Sequence, residues 1–291
     1  MNKIKLQKDT IYCNKINKDI TLIHISDIHF NKYTKDKKLY LIKEEIYKNN
    51  PDYVLITGDT IDQSSVLKDK INLKRLVVFL TDIGEFTKVI ISLGNHDLFL
   101  KEDYKFFKNL NELKNIYILN NESYVDENIY ISGFTLPHKY YYNITKDESK
   151  GILLEHLKKH KKLNNNLPVF IPKVGMIHSP MLLPENDVLN ELKEYDLLLS
   201  GHTHGGMVLG ILSKVFKPNQ GLISPNKRLF PDVARGKIEK NLFGKKITII
   251  ISGGITKLGE KSASLLRKFN FLYDIDINKI IITSKKGRYY E

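Results

Sequence analysis

The sequence predicts an α/β fold whose strands are buried and largely parallel. Three observations carry that expectation. Up to Ser200, short apolar runs alternate with segments of helical periodicity. After Gly205 the pattern changes to strands parted by Gly, Pro and Asn turns, which points to a mixed sheet or a second sheet packed on the first. Five of the apolar runs end in Asp, Asn or His. Ligands of such folds bind beyond the carboxyl ends of the strands.

The elements follow in order. Thr21 to Ile25 is an apolar run that reads as the first strand. Leu39, Ile42 and Ile46 recur at helical spacing, and Asn49-Asn50-Pro51 stops that helix. Tyr53 to Ile56 is the next strand, and Leu73, Leu76, Val77 and Leu80 mark the second helix. Val89 to Ile91 follows as a strand, with Phe106, Phe107, Leu110 and Leu113 on a third helix. Short strands are expected at Ile116 to Leu119 and Ile129 to Ser132, and a helix from Ile152 to Leu157. Val174 to Ile177 and Leu197 to Leu199 read as buried strands. The last strands are expected at Ile247 to Ile251, Phe271 to Ile275 and Ile280 to Thr283. No repeat, low-complexity linker or boundary interrupts the pattern. One domain over residues 1–291 is expected, its motifs lying within 20–256.

At 291 residues, 42% apolar and 27% charged, the chain can bury a core and is not generally disordered. Its longest apolar runs fall far short of the roughly 20 residues of a spanning helix. The first twenty residues carry charge with no apolar stretch behind them, so no secretory signal is expected. The cytoplasm is the default location, with peripheral contact at a membrane as a variant. Cys13 is the single cysteine, which excludes an intrachain disulfide and a cysteine-based zinc site.

The formal charge is +13, but only five of the 46 basic residues are Arg, so compositional drift in a Lys-rich chain is the bland explanation. The distribution is more informative. Residues 205–246 hold nine basic and two acidic side chains, a net +7.

The five strand ends share one chemistry. The first strand runs into Asp27-Ile28-His29, the second into Gly58-Asp59 and the third into Gly94-Asn95-His96-Asp97. The later ones run into His178 and into Gly201-His202-Thr203-His204. Five of the nine His sit at these ends; His24, His138, His156 and His160 are scattered. Imidazole with carboxylate suits zinc, iron, manganese and similar divalent cations. The spacing in Asp27-x-His29 and His202-x-His204 puts both side chains of each pair on one side of an extended segment. Asp27, His29, Asp59, Asn95, His178, His202 and His204 are too many ligands for one tetrahedral ion. They suit two ions roughly 3.5–4 Å apart that share a carboxylate, a clamp for displacement at phosphorus. Asp59 is the candidate bridge. Alone, His178 reads as a polar loop residue and Gly58-Asp59 as a turn; the joint occurrence at five strand ends has no such reading.

Asp-Ile-His, Gly-Asp, Gly-Asn-His-Asp, a later His and Gly-His-Thr-His together resemble the motifs of calcineurin-like metallophosphoesterases, over about Leu22 to Ile255. The flanking strings Pro51 to Asp59 and Asp196 to Gly206 are similar to the YkuE/YaeI-like bacterial branch. The resemblance implies a sandwich of two mixed β-sheets with helices outside, and a two-metal phosphoesterase. It implies a first metal on Asp27, His29, Asp59 and His204 and a second on Asp59, Asn95, His178 and His202. A hydroxide shared by the ions would attack phosphorus in line. His96 would bind the phosphoryl oxygen and protonate the leaving group. Asp97 would orient His96, or cap the following turn instead. Two departures from the branch stand out. Met207 replaces the Gln that commonly follows Gly-His-Thr-His-Gly-Gly, and the export signal or membrane anchor of many relatives is not seen.

The substrate is expected to be a small, nucleotide-linked or lipid-linked phosphodiester or pyrophosphate. The basic stretch after His204, in which Lys214, Lys217, Lys227, Arg228, Arg235 and Lys237 are interleaved with apolar residues, is expected to line the cleft. It would suit an anionic amphiphile or membrane surface; a hairpin with one solvated basic face is the plain alternative. Lys227, Arg228 and Arg235 are the candidate substrate contacts. Tyr140, Tyr141 and Tyr142 form a candidate rim or a packed cover. A nuclease of the same superfamily, or a binding scaffold without turnover, are the competing functions.

Overall fold

The computed structural model describes residues 3–63, 65–98, 101–142, 144–161, 170–209, 212, 215–224, 229–259 and 268–284. One six-stranded sheet runs β1 (Ile4–Tyr12), β12 (Ile275–Thr283), β2 (Ile20–Ile25), β3 (Tyr53–Thr57), β4 (Lys88–Ser92) and β5 (Ile116–Leu119) from edge to edge. A second six-stranded sheet runs β10 (Gly236–Leu242), β11 (Lys245–Ile251), β9 (Leu197–Ser200), β8 (Lys173–Ile177), β7 (Tyr130–Phe134) and β6 (Glu122–Val125). Both are mixed. β12 is antiparallel to β2 in the first sheet, and β10–β11 and β6–β7 are antiparallel in the second.

Strand periodicity sorts the apolar residues into layers. In β2 and β3, Ile23, Ile25, Val54 and Ile56 face Leu39, Ile42 and Ile46 of α1 (Asp36–Asn49) and Leu76, Leu80 and Ile83 of α3 (Lys70–Phe86). Their neighbours Leu22, Tyr53 and Leu55 face the other way, onto Val174, Met176, Leu197 and Leu199 of the second sheet. On the far side of that sheet, Leu198, Ile247, Ile249 and Ile251 pack with Leu153 and Leu157 of α5 (Lys146–Lys159) and Val188 of α6 (Asn186–Glu191). The order is therefore helix, sheet, sheet, helix. Each fully buried Leu or Ile contributes roughly 1.5–3 kcal/mol of transfer free energy. His24 is a core residue: buried between Thr57 Oγ1 at 2.8 Å and Asn278 Nδ2 at 3.2 Å, it is pushed by burial down to about 3 and stays neutral.

The helix stops are local. α1 ends where Asn50 takes a left-handed conformation (φ 42°) before Pro51. Asp69 caps α3 by accepting from the backbone of Ile71 and Asn72, and Thr145 with Glu148 forms a capping box on α5.

Several elements differ from expectation. Phe271 to Ile275 is not a strand. Residues Lys268–Leu272 form a 3-10 turn, because Asn270 brackets Leu258 with one hydrogen bond to its N–H and one to its carbonyl. The strand starts at Ile275 and runs unbroken through Ile280 to Thr283. The edge strands β1, β6 and β10 and the short helices α2 (Ser65–Lys68) and α6 have no counterpart in the sequence reading. α4 (Lys101–Leu110) stops short of Leu113, and α5 begins six residues before Ile152. Among the described residues, no helix is long and apolar enough to cross a membrane.

Candidate metal centre

β2, β3 and β4 lie side by side in one sheet and β8 and β9 side by side in the other. Their carboxyl ends meet across the sandwich, so the seven candidate ligands come from both sheets. The approach is close. A Cβ on Gly201, just after β9, would sit 1.7 Å from Ser26 Oγ and 2.5 Å from Asp27 Oδ2, so only glycine lets the two sheets' loops meet there.

The ligands do not sit on extended backbone. Asp27, His29, Asp59, His202 and His204 all have φ between 45° and 66°. The pairwise spacing thus works through left-handed turns, not through the pleat of a strand. Non-glycine residues in this region cost of order 1 kcal/mol each and cluster at functional sites. From His204 to Met207 four successive residues have positive φ. Gly206 fits because its missing Cβ would lie 2.3 Å from the Gly221 Cα. The turn swings the His204 ring back so that Nδ1 reaches the Thr256 carbonyl at 2.8 Å.

Two clusters result. Ligand atoms of Asp27, His29 and His204 lie within 4.8 Å of one another, as do those of Asp59, His178 and His202. Asp59 joins the two: its Oδ2 is 3.5 Å from His29 Nε2 and 3.1 Å from His178 Nε2. Its other oxygen accepts the His96 backbone N–H at 2.9 Å. Asp27 accepts the backbone N–H of His202 with both oxygens.

The residues fit a pair of divalent cations. His29 Nε2, His178 Nε2 and Asn95 Oδ1 are buried atoms that lack a hydrogen-bond partner, and a buried polar atom without a partner is costly. The opposite ring nitrogens are engaged: His29 Nδ1 with Asp62 at 3.2 Å, His178 Nδ1 with the Thr57 carbonyl at 2.7 Å and His204 Nδ1 with the Thr256 carbonyl. That pattern fixes each Nε2 as the lone-pair atom, as in histidines that bind metal. Electrostatics agree. Burial alone would raise Asp59, but His178 and His96 hold it well below the carboxylate range. Burial opposes charge on His178, and Asp59 overrides it and raises the ring to about 9. Burial and the charge of His178 push His202 down to about 3. The carboxylates demand positive charge, which cations supply in place of imidazole protons.

His96 stands on the turn after β4, its ring partly exposed and 4.7 Å from the His29 ring. The residue expected to orient it does not. The Asp97 carboxylate accepts the backbone N–H groups of Thr60, Ile61 and Gly94, so it ties the β3 and β4 loops together; burial, then Asp59, raises it to about 7. That tie is neither of the two roles expected from the sequence, orienting His96 or capping the following turn. The group at His96 Nδ1 is the Asp62 carbonyl, 2.6 Å away. Buried Asp62 also binds His29 Nδ1 through Oδ1 and Asn31 Nδ2 through Oδ2. His29, Asp62 and His96 form a third grouping of ligand type, but these hydrogen bonds make it a positioning bridge. Asp62→Ala is expected to weaken metal affinity and turnover about 10–100-fold, the usual worth of such a partner. Metal titration checks it; alanine keeps the carbonyl that holds His96, so unchanged affinity and turnover would show that His29 does not need the Asp62 carboxylate.

Three further groups escaped the sequence reading: the carbonyls of Thr57 and Thr256, and Asp62. Thr256 belongs to the segment after β11, where Ile255 and Thr256 donate to the Ser26 and Asp27 carbonyls. Carbonyls have no residue-type signal, whereas Asp62, three places after Asp59, could have been read from the string Gly58 to Asp62. Of the candidate substrate contacts, Lys227 and Arg228 lie outside the described residues. Arg235 is half-buried and its Nε donates to the Gln220 carbonyl at 3.0 Å, which gives it a part in holding the loop. Tyr140 is buried, Tyr142 exposed, and Tyr141 packs on His178 and His202.

Comparison with known proteins is consistent with this geometry. An uncharacterized metallophosphoesterase of Helicobacter pylori is 27% identical over 206 residues, covering 70% of this chain and 50% of that protein. The chain thus spans about half the length of that relative. One from Aquifex aeolicus is 24% identical over 241 residues, covering 77% and 81%. A component of the nuclease SbcCD of Staphylococcus epidermidis is 30% identical over 129 residues, 40% of this chain and 33% of that one. The profile of the calcineurin-like phosphoesterases matches residues 20–206, which contain every ligand of both clusters, and the chain belongs to that family.

Proposed function

We propose that this chain hydrolyses a phosphodiester or pyrophosphate bond at a dinuclear centre, with His96 as the leaving-group acid. The carrying observation is Asp59, whose one oxygen faces both clusters while the other holds the His96 backbone. Asp27, His29, Asp59 and His204 would hold one cation; Asp59, Asn95, His178 and His202 the other. Bound divalent cations supply Lewis acidity and lower the pKa of water. The chain's own residues do the rest. Asp59 and Asp62 place the His96 ring beside the clusters through its backbone N–H and its Nδ1, leaving Nε2 to face substrate. An alkoxide or phosphate leaving group gains most from such an acid. The test is a panel of phosphomonoesters, diesters, nucleotide-sugars and phospholipids with added manganese. Diesters or pyrophosphates are expected to turn over at least tenfold faster than monoesters, and a monoester preference would overturn the reading.

One observation favours a lipid-linked substrate. Beyond His204, Val215, Leu229 and Phe230 are 79%, 66% and 53% exposed, on a stretch whose sequence is net basic. Apolar side chains among cations suit an anionic amphiphile. Changing these three to Ser is expected to weaken binding to anionic phospholipid vesicles at least tenfold, with turnover of a small soluble diester unchanged. Unchanged vesicle binding would remove the lipid reading. Cleavage of DNA with a steep salt dependence would favour the nuclease instead.

A further inference from the structure

Tyr140, Tyr141 and Tyr142 stand in and just after the 3-10 turn His138–Tyr141 that follows β7, and they meet three different fates. Tyr140 joins the apolar layer with Phe134 and Leu153. Tyr142 is 60% exposed. Tyr141 lies between them with its ring 5.1 Å from the His202 ring and 6.1 Å from that of His178, two members of the Asp59 cluster. The turn is anchored to the same cluster, because His138 Nε2 bonds the Asn95 carbonyl at 3.0 Å.

The Tyr141 hydroxyl is enclosed and lacks a hydrogen-bond partner. Packing on two imidazole edges needs only the ring, which Phe would supply. A buried hydroxyl without a partner lowers stability, which points to a partner that arrives with the ligand. Resting on the phosphoesterase reading above, we propose that Tyr141 is a further catalytic residue, a neutral phenol whose O–H donates to a non-bridging oxygen of the phosphoryl group. No bond is made or broken at the phenol. The donor is already in place and shielded from water, the condition under which one hydrogen bond to developing oxyanion charge is worth most. Ordinary tyrosine ionises near pH 10, so the phenol carries its proton at neutral pH.

Tyr141→Phe in the manganese-loaded full chain tests this. It is expected to keep two manganese per chain with affinity within threefold, and to lose about 10²-fold in kcat, the scale of one removed oxyanion donor. Orthovanadate and inorganic phosphate, followed by calorimetry without turnover, are expected to bind about tenfold more weakly. The ferric-loaded wild type is expected to show no visible phenolate-to-iron absorption. Such a band, or a metal affinity reduced more than tenfold in the variant, would make Tyr141 a ligand and overturn the proposal. Vanadate affinity and kcat within twofold of wild type would overturn it alone. A wild-type chain that binds two manganese ions but neither oxyanion would overturn it together with the parent reading.

Discussion

Asp59→Asn is expected to abolish turnover, by more than about 10³-fold, and to leave at most one tightly bound metal per chain. The substitution keeps the shape of the side chain and an oxygen to accept the His96 N–H, now made to Oδ1 at 2.9 Å. What it removes is charge. Among the described residues, Asp59 Oδ2 is the one carboxylate oxygen within 4.0 Å of both His29 Nε2 and His178 Nε2, so it is placed to neutralise two cations at once. Two divalent ions some 3.5–4 Å apart repel strongly in a buried site, where effective dielectric screening is low. Without the shared carboxylate the second ion has only neutral donors, Asn95, His178 and His202. Metal analysis of the purified variant beside its turnover decides the point. Two metals per chain with near-normal turnover would remove Asp59 from the bridge. One metal with residual turnover would show that the second ion assists the reaction without being essential to it.

The candidate ligands were legible in the sequence because each stands at the end of an apolar run, and a run of β-type residues ending in Asp, Asn or His has few other uses. Leu22 to Ile25 before Asp27 and Leu197 to Leu199 before His202 are buried throughout. The layers were legible for the same reason: the alternation of Ile23 and Ile25 against Leu22, and of Leu198 against Leu197 and Leu199, assigns each side chain to a face. The edges were not. β1 carries Lys5, Gln7 and Asp9 among its apolar residues, and β6 and β10 are mostly half-exposed, so none of the three shows the continuous apolar run of a central strand. Phe271 and Leu272 misled in the opposite direction. They are apolar residues that remain 53% and 46% exposed, held in a turn by the side chain of Asn270.

Within the site, what could not be read was direction. The spacing of Asp27 and His29 marks a pair of ligands but does not state that both have positive φ. The neighbours of a histidine in sequence do not reveal its hydrogen-bond partner in space. Asp97 adjoins His96 in the chain, yet three backbone N–H groups take its carboxylate. Asp62, brought in by the loop after β3, serves both His29 and His96. The backbone-tied carboxylate of Asp97 shapes the loops, while Asp62 sets the His29 ring with its carboxylate and the His96 ring with its carbonyl. The Tyr run shows the same limit, since three identical residues in succession end in core, site and solvent.

His96→Ala is expected to leave both metals bound and to slow cleavage of alkyl phosphodiesters about 10²–10⁴-fold, the usual worth of a positioned acid. Metal retention follows from geometry: the ring's own partner is the Asp62 carbonyl, and alanine keeps the backbone N–H that Asp59 accepts. The loss should depend on the leaving group. An alkoxide leaves poorly without a proton, whereas p-nitrophenolate is stable as the anion and needs none, so the variant should lose much less on p-nitrophenyl esters. A His96→Gln variant separates the two roles of the ring, because an amide N–H can bind a phosphoryl oxygen but has no proton to give at neutral pH. Recovery by Gln on p-nitrophenyl esters alone would assign His96 both roles. An equal loss on both ester classes in His96→Ala would exclude the leaving-group acid and leave only stabilisation of the phosphoryl oxygen, the function proposed for the Tyr141 hydroxyl. The two residues would then act on the same charge, and His96→Ala combined with Tyr141→Phe should lose less than the product of the single losses. If His96 is the acid and Tyr141 the phosphoryl donor, they act on different atoms, and the double variant should come close to that product.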